Sequence, residues 1–240
     1  SDITISAGDT TGTATFTPTD DSVYEGNETI TLTVSLTSSE GSFNISNTPT
    51  INILENESAP TVTLATSAAS IAEDAGSSLT LTATSSIVAD EDITVSIATS
   101  GTGTEGTDYN TISDITISAG ATTGTASFTP INDTVFEANE TAIVSISSVS
   151  GADATESGVQ SETITIVKDA DAAPTVTLAT SATSIAENAG SSLTLTATLS
   201  NATNEDVTVG ISTSGTGTEG TDYSTISDIT ISAGSTTGTA

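Results

Sequence analysis

The sequence predicts an all-β fold, a tandem array of antiparallel β-sandwiches with about seven strands in each repeat. Three observations lead to this prediction. Apolar residues, mainly Ile, Val, Leu and Ala, alternate with Thr, Ser and Asp at a period of two. Gly, Asn, Asp and Pro cluster between those runs, where turns require them. Long segments also recur along the chain, whereas no stretch has convincing helical periodicity.

The repeat is explicit in the residues. Pro60-Thr-Val-Thr-Leu-Ala-Thr-Ser67 returns unchanged from Pro174, and Ser113-Asp-Ile-Thr-Ile-Ser-Ala-Gly120 also occurs from Ser1 and Ser227. The phase of these matches divides the chain into one complete repeat, residues 60–173, and two halves. Residues 1–59 match its C-terminal half and residues 174–240 match its N-terminal half.

In the complete repeat, the alternation marks the candidate strands in order. They carry Val62/Leu64, Leu79/Leu81/Ala83, Ile93/Val95/Ile97, Ile115/Ile117, Ala126/Phe128, Val144/Ile146 and Ile164/Ile166. β-Branched residues pack well on a pleated surface. About seven strands in roughly 110 residues fit an immunoglobulin-like sandwich. A unit of that length buries roughly 65% of its unfolded surface, which is enough for a core without disulfides.

The two half-units leave two explanations open. The chain is either an excerpt from a longer array or a subunit whose halves complete one another between molecules, as in strand-exchange polymers.

Composition excludes most enzyme chemistry. The 240 residues include no Cys, His, Met or Trp. Cys–His and Ser–His–Asp constellations are therefore impossible, and zinc, haem and iron–sulfur sites lose their usual ligands. Two carboxylates can serve a glycosidase, but a sugar cleft is usually lined with aromatic residues, which make up only 3% of this chain. We therefore expect a protein that is not an enzyme.

The charge is strongly acidic. Lys168 is the only Lys or Arg, against 31 Asp and Glu, for a formal net charge of −30. Such a chain repels nucleic acid and anionic membrane surfaces and attracts divalent cations, although acidic surfaces also simply maintain solubility. No apolar stretch approaches the length of a membrane span, so membrane insertion is not expected. The scarcity of basic residues is typical of secreted surface proteins, which predicts an extracellular or cell-surface location.

Many acidic residues of the complete repeat fall between strands rather than along them. They are Glu73, Asp108, Asp133, Glu137, Glu140, Asp169 and Asp171. Because loops gather at the two ends of a sandwich, several of these carboxylates should converge at one end. Clustered carboxylates repel unless a cation neutralises them, and Ca²⁺ accepts 6–8 oxygen ligands in irregular loops. The alternative is that each acid is a solvated strand-end residue or a turn former.

The ordered set of these motifs resembles the Calx-β repeat, a domain of sodium–calcium exchangers, some integrin subunits and large bacterial surface proteins. The matching pieces are Ile71-Ala-Glu-Asp-Ala-Gly76, Gly106-Thr-Asp-Tyr109, Ile117-Ser-Ala-Gly120 and Ile131-Asn-Asp-Thr-Val-Phe-Glu-Ala-Asn-Glu140. The resemblance implies a seven-stranded sandwich of two antiparallel sheets with Ca²⁺ bound at one end.

The family's ligand positions fall on the same seven acids of the complete repeat. The corresponding acids are Asp20, Asp21, Glu25 and Glu28 in the first half-unit, with Glu55 and Glu57 beyond them, and Glu187 and Asp222 in the last. The chain departs from calcium-sensing members at Asn132-Asp133-Thr134, where they have consecutive acids, and its closing acidic run is sparser. We therefore expect one or two weakly bound ions per repeat, with dissociation constants of about 10⁻⁴–10⁻³ M.

These features predict an extracellular tandem-repeat protein, an adhesin stalk or a matrix filament, in which Ca²⁺ at the domain ends stiffens the junctions. Its expected partners are Ca²⁺, neighbouring repeats or copies of itself, and a host or matrix surface. Two alternatives stay open: a Ca²⁺-sensing or ligand-binding module of a surface receptor, and a self-assembling fibre subunit in which half-repeats complete each other between chains.

Overall fold

The computed structural model describes residues 2–36, 41 and 43–240, and all regular elements within them are β-strands. The predicted all-β class is therefore confirmed. The strands are β1 (Val23–Tyr24), β2 (Glu28–Thr31), β3 (Thr50–Ile53), β4 (Thr61–Thr66), β5 (Ser70–Ala72), β6 (Leu79–Ser85), β7 (Val88–Ala89), β8 (Ile93–Gly101), β9 (Ile115–Ile117), β10 (Thr123–Phe128), β11 (Glu140–Ser150), β12 (Thr155–Glu156), β13 (Ser161–Val167), β14 (Val176–Thr180), β15 (Leu195–Leu199), β16 (Val207–Val209), β17 (Ile229–Ile231) and β18 (Thr237–Thr239).

The complete repeat is a sandwich of two sheets around one core. One sheet has the strand order β10-β6-β4-β12 and the other β5-β13-β11-β8-β9. Neighbouring strands are antiparallel except at the parallel pairs β12/β4 and β5/β13. Each predicted apolar run lies on one of β4, β6, β8, β9, β10, β11 and β13. The very short strands β7 and β12 add to that set.

The apolar side of the alternation faces the core. In β4, Val62 and Leu64 are buried while the Thr residues between and beside them are exposed. Tyr109 and Phe128 lie at the centre, both almost fully buried, with their ring centroids 4.9 Å apart. Aromatic pairs in such offset contact add roughly 0.5–1.5 kcal/mol beyond the burial of their surface. Aliphatic residues and this single stacked pair therefore hold the two sheets together.

A glycine allows the edges of the two sheets to approach closely. Gly124 of β10 lies against the backbone of Thr116 in β9, and a methyl group at residue 124 would overlap the Thr116 carbonyl oxygen. The same glycine recurs in the other segments, with Gly12 against Thr4 and Gly238 against Thr230. The repetition of Thr-Thr-Gly-Thr thus has a steric cause, since only glycine fits where the sandwich closes.

The half-units expose apolar side chains that a complete repeat would bury. The first contains the antiparallel pair β2/β3, and the last contains the sheets β14-β15-β18 and β16-β17. The exposed residues whose counterparts in the complete repeat are buried are Ile3, Ile5, Phe16, Leu32 and Val34 in the first, and Val176, Leu178 and Ile185 in the last. A missing half-repeat would cover these faces whether it came from a longer chain or from another molecule.

Successive units also make direct contacts. Strand β1 pairs in parallel with β7, placing Tyr24 opposite Ala89, and an isolated parallel bridge joins Phe136 to Thr203. The predicted boundaries after residues 59 and 173 fall between strands, since β3 ends at Ile53, β4 begins at Thr61, β13 ends at Val167 and β14 begins at Val176. The boundaries themselves stay predictions. Among the described residues, no helix has the length and apolar character needed to cross a membrane.

We expect Gly124→Ala to lower the free energy of unfolding by about 1–3 kcal/mol, because the added methyl group forces β9 and β10 apart. Thr123→Ala, at an exposed neighbour on the same strand, is the control and should stay within about 0.5 kcal/mol. Urea denaturation of the full chain measures both variants. Equal stability of the two variants would show that the sheet edges relax freely.

Candidate metal centre

Three carboxylates meet at one end of the complete repeat. One oxygen from each of Asp108, Glu137 and Glu140 lies within 4.8 Å of the others. Among the described residues, this triad is the only group of acids whose oxygens approach so closely. It draws on the turn after β8, the loop after β10 and the first residue of β11. Three loops or strand ends that are distant in sequence therefore converge, as the strand-end placement of the acids predicted.

Asp108 is held by its own turn. Its Oδ2 accepts a 2.5 Å hydrogen bond from the Thr104 amide, and its own amide donates to the Thr104 carbonyl at 2.9 Å. Its carbonyl accepts from the amide of Ile131, and the residue is only 8% exposed. Asp108 is therefore a turn former as well as a member of the cluster, so the two interpretations of this acid are compatible.

Glu140 has an unsatisfied oxygen. In the ionised state its Oε2 is buried without a hydrogen-bond donor, while its Oε1 accepts from Asn204 Nδ2 at 3.2 Å; in the protonated state Glu140 shares a side-chain hydrogen bond with Asp108. Gly103 lies beside Oε2, and a Cβ there would come 3.4 Å from that oxygen. A buried carboxylate oxygen without a donor is costly, and native structures rarely contain one. This oxygen is therefore suited to receive a ligand.

Burial and like charges raise the pKa of both glutamates. For Glu137, burial is the first cause, followed by the charges of Glu140 and Asp108, and its pKa rises to about 7. For Glu140, burial is again first, followed by Asp108, and its pKa also rises to about 7. The chain's one basic residue, Lys168, lies over the Phe136 ring with its ammonium 5.0 Å from the centroid. No cation among the described residues balances the triad.

The other four predicted acids of this repeat lie next to the triad. Glu73 is 6% exposed, and its Oε1 accepts from the Asp133 amide at 3.2 Å. Burial raises the pKa of Glu73, and the charges of Asp169, Asp133 and Asp171 contribute to the rise. The charges of Glu73 and Asp133 also contribute to the raised pKa of Glu137. The seven acids predicted as site residues in this repeat therefore share one end of the sandwich.

Two of these acids accept a hydrogen bond from a nearby backbone amide with one carboxylate oxygen. Asp133 Oδ1 accepts from the Val135 amide at 2.6 Å, and Asp169 Oδ1 accepts from the Asp171 amide at 2.9 Å. These contacts are typical of aspartate in turns. Each side chain still has a second oxygen available, so the turn contacts do not remove them from the cluster.

The acids of the first half-unit are more solvated. Asp20, Asp21, Glu25 and Glu28 are exposed. Burial raises the pKa of Glu25, as do the charges of Asp21, Glu28, Asp90 and Glu55 in turn, so these side chains share one region. Asp90 belongs to the next repeat, and the sequence did not mark it as a site residue.

Unlike Glu140, Glu55 has hydrogen-bond donors on both of its carboxylate oxygens. Its oxygens accept from the backbone amides of Glu25 at 2.6 Å, Gly26 at 2.7 Å and Glu57 at 2.9 Å. These donors, led by the amide of Glu57, lower the pKa of Glu55 to about 2. The neighbouring Glu57 has a raised pKa, first because of its contact with Glu55. Glu55 therefore stabilises the conformation of its loop through these hydrogen bonds.

The two acids predicted in the last half-unit are exposed and stand apart from the triad. Asp222 Oδ2 accepts from the Thr218 amide at 2.7 Å, which reproduces the turn of Asp108. Glu187 is exposed. Within the described part of the chain, neither residue belongs to a close group of acids.

Sequence reasoning missed Asn204, which donates to Glu140 from the following repeat. Its position matches Asp90 in the repeated sequence. A contact between repeats leaves no signal in a pattern read one repeat at a time, so no feature of the sequence marked either residue.

One known protein family matches almost the whole chain, in three successive segments. The model of the Calx-beta domain matches residues 2–57, 55–171 and 169–234. These matches cover most of the chain, which therefore belongs to the Calx-beta family. No curated protein gives a significant match.

Among solved structures, the chain is similar to the apo-form Calx CBD1 domain, with 17% identity, a TM-score of 0.39, and coverage of 45% of this chain and 98% of that one. It is also similar to the calcium binding domain CBD12 of CALX1.1, with 17% identity, a TM-score of 0.39, and coverage of 74% and 73%. A two-domain protein of unknown function from Bacteroides fragilis matches at 8% identity with a TM-score of 0.33, covering 63% and 68%.

The raised pKa values predict that the chain without metal loses stability as pH rises. Between the ordinary value of 4.5 and about 7, Glu137 and Glu140 hold more protons in the folded state than in the unfolded state. The free energy of unfolding therefore falls as pH increases through that window. Thermal midpoints in chelator at pH 5 and pH 8 measure the effect, with the higher midpoint expected at pH 5.

Because the whole chain is acidic, a matched pair of variants isolates the cluster. The double variant Glu137→Gln, Glu140→Gln should show a smaller difference between the two pH values. The double variant Glu162→Gln, Glu219→Gln removes the same charge outside the cluster and should keep most of the difference. Identical differences in both would mean that general repulsion, and not this site, sets the pH dependence.

Proposed function

We propose that this Calx-beta family member is an extracellular tandem-repeat structural or adhesive protein whose complete repeat binds Ca²⁺ at one end. The observation that carries the proposal is the buried Glu140 Oε2, which lacks a hydrogen-bond partner in a carboxylate cluster without a balancing cation. A cation would satisfy that oxygen and remove the repulsion at once.

The residues present fit a Ca²⁺ ion. Asp108, Glu137 and Glu140 supply three converging carboxylates, and Glu73 and Asp133 lie near enough for their charges to contribute to the raised pKa of Glu137. Ca²⁺ takes 6–8 oxygen ligands and accepts irregular loop geometry, whereas Mg²⁺ demands a near-octahedral arrangement and keeps several waters. Metal binding requires deprotonated ligands, so it would compete with the protons that Glu137 and Glu140 hold near neutral pH.

The structural role follows from where the site lies. The loop that carries Glu137 also contacts the next repeat, because the Phe136 amide donates to the Ala202 carbonyl at 2.9 Å. Repulsion within the cluster would destabilise this loop, and a bound cation would hold it in place. Binding would thus stiffen the junction between repeats, which suits an adhesin stalk or a matrix filament.

The location and adhesive role rest on composition and repetition. One basic residue among 240 favours a secreted protein, and near-identical repeats favour a spacer over a module with one specialised surface. A Ca²⁺-sensing receptor module is the alternative that uses the same site.

One observation favours a second candidate, the self-assembling fibre subunit. The half-units expose apolar residues, among them Ile3, Ile5 and Phe16 in the first and Leu178 and Ile185 in the last. The two halves are complementary parts of one repeat, so a second copy of the chain could cover them. Sedimentation of the 240-residue chain distinguishes the two, since a fibre subunit forms higher oligomers as concentration rises and a spacer does not.

Millimolar Ca²⁺ should raise the thermal midpoint of the chain relative to chelator. With the expected Kd of about 10⁻⁴–10⁻³ M, Ca²⁺ at about 10 mM is roughly ten to a hundred times Kd and adds roughly 1.4–2.7 kcal/mol to the free energy of unfolding. The variant Glu137→Gln, Glu140→Gln should lose the shift, and the charge-matched variant Glu162→Gln, Glu219→Gln should keep it. Scanning calorimetry with Ca²⁺, Mg²⁺ and chelator checks this prediction. Absence of a shift in the unmodified chain would refute the calcium site.

If Ca²⁺ stiffens the junctions, small-angle scattering should detect it. We expect a narrower distribution of interatomic distances and a better-defined maximum dimension in Ca²⁺ than in chelator. The distance distribution and maximum dimension of the Glu137→Gln, Glu140→Gln variant should be the same in Ca²⁺ as in chelator. Binding without any change in scattering would favour the sensing module over the stalk.

A further inference from the structure

We infer that the metal centre of the complete repeat is completed by the repeat that follows it, with Asn204 as a positioning residue for Glu140 and Asp90 as its sequence counterpart at the other junction. This inference rests on the proposed calcium site. It adds a residue from outside the repeat that carries the carboxylates.

Backbone contacts fix Asn204 at the junction. Phe136 forms a parallel bridge with Thr203, and the Phe136 amide donates to the Ala202 carbonyl. Thr203 is 7% exposed, and its hydroxyl donates to the Glu205 carbonyl at 2.7 Å. The segment on either side of Asn204 is therefore held in place. From this position the Asn204 amide reaches Glu140 Oε1 at 3.2 Å.

The same arrangement occurs at the other junction. Tyr24 lies opposite Ala89 in the parallel β1/β7 pair, and the Asp90 amide donates to the Tyr24 carbonyl at 3.1 Å. The Tyr24 ring is buried against the following repeat, and its hydroxyl donates to Asp153 Oδ2 at 2.9 Å. We call the equivalent segments 20–28 and 132–140 the acidic loop. Its aromatic residue, Tyr24 or Phe136, thus docks on the next repeat at both junctions. Each time, the next side chain of that repeat, Asp90 or Asn204, is placed beside the acidic loop.

The contact with Asn204 makes the two oxygens of the Glu140 carboxylate different. Oε1 is held by the amide, and the buried Oε2 has no partner in the structure. Fixing one oxygen orients the other toward the cluster and lowers the cost of ordering it when a cation binds. Partners that hydrogen-bond to ligating carboxylates typically change metal affinity by 10–100-fold when they are mutated.

The two junctions differ by one charge. Asn204 brings a neutral amide, whereas Asp90 brings a further carboxylate to the loop that holds Glu25. Because the number of ligand charges tunes Ca²⁺ affinity, the residue at this position sets how strongly each junction responds to the ion. Near-identical repeats would then carry junctions of unequal strength.

Calorimetric titration of the full chain with CaCl₂ tests the inference. The step to follow is the one that Glu137→Gln, Glu140→Gln abolishes. We expect Asn204→Ala to weaken that step about tenfold, and Asn204→Asp to tighten it because a carboxylate is added. Asn188→Ala, at an exposed position of the same half-unit, is the control and should bind like the unmodified chain. In chelator, Asn204→Ala and Asn188→Ala should keep the thermal midpoint and the exchange rate of the Phe136 amide, whereas Asn204→Asp should lower the midpoint because its carboxylate adds to the repulsion.

Each other outcome has a distinct meaning. If the unmodified chain binds Ca²⁺ and Asn204→Ala binds equally well, the inference is wrong and the proposed calcium site stands. If the unmodified chain does not bind Ca²⁺, both are wrong. If Asn204→Ala weakens binding but also lowers the midpoint and speeds Phe136 exchange in chelator, the residue packs the junction and does not position Glu140. The opposite effects expected for Ala and Asp exclude a purely structural role.

Discussion

Repulsion between carboxylates is the constraint on which this end of the sandwich depends. The core forces β8, β10 and β11 together through residues such as Phe128 and Val144, and the loops beyond those strands must then share one end. Each loop carries an acid, and the chain's only basic residue lies over an aromatic ring. The folded chain therefore holds protons on Glu137 and Glu140 up to about neutral pH. Folding energy from the core keeps the charges together, and a cation bound as proposed would relieve their repulsion.

The acidic loop has two faces with different tasks. Residue 136 contacts the next repeat, while Glu137 and Glu140 face the cluster. A rigid loop cannot adjust one face without affecting the other, so cation binding and docking of the next repeat are linked. Linkage is reciprocal for binding free energies. If Ca²⁺ binds as proposed, a well-docked repeat would favour the ion as much as the ion favours docking.

Sequence reasoning reached the strands and the gathering of the acids because both follow from rules that act within one repeat. Val62 and Leu64 alternate with threonine, and burial of one face is the only outcome of that pattern. The acids follow strand ends, and sandwich ends are few. Contacts between repeats could not be predicted, because nothing in the sequence distinguishes Asn204 from other polar residues. The occupied oxygens of Glu55 were equally hidden, because they depend on how a loop folds around a single side chain.

Glu55 and Glu140, which occupy different positions in the repeat, show that acids near the repeat ends are not equally available to a cation. Glu55 receives several backbone amides and has a pKa of about 2, so its charge is already stabilised without a cation. Glu140 receives one side-chain amide, keeps a buried oxygen without a partner, and has a pKa of about 7. The free energy that a cation can gain is largest where the protein has satisfied the carboxylate least. If Ca²⁺ binds as proposed, its affinity along such an array would therefore be graded by the hydrogen bonds that local loops and following repeats supply.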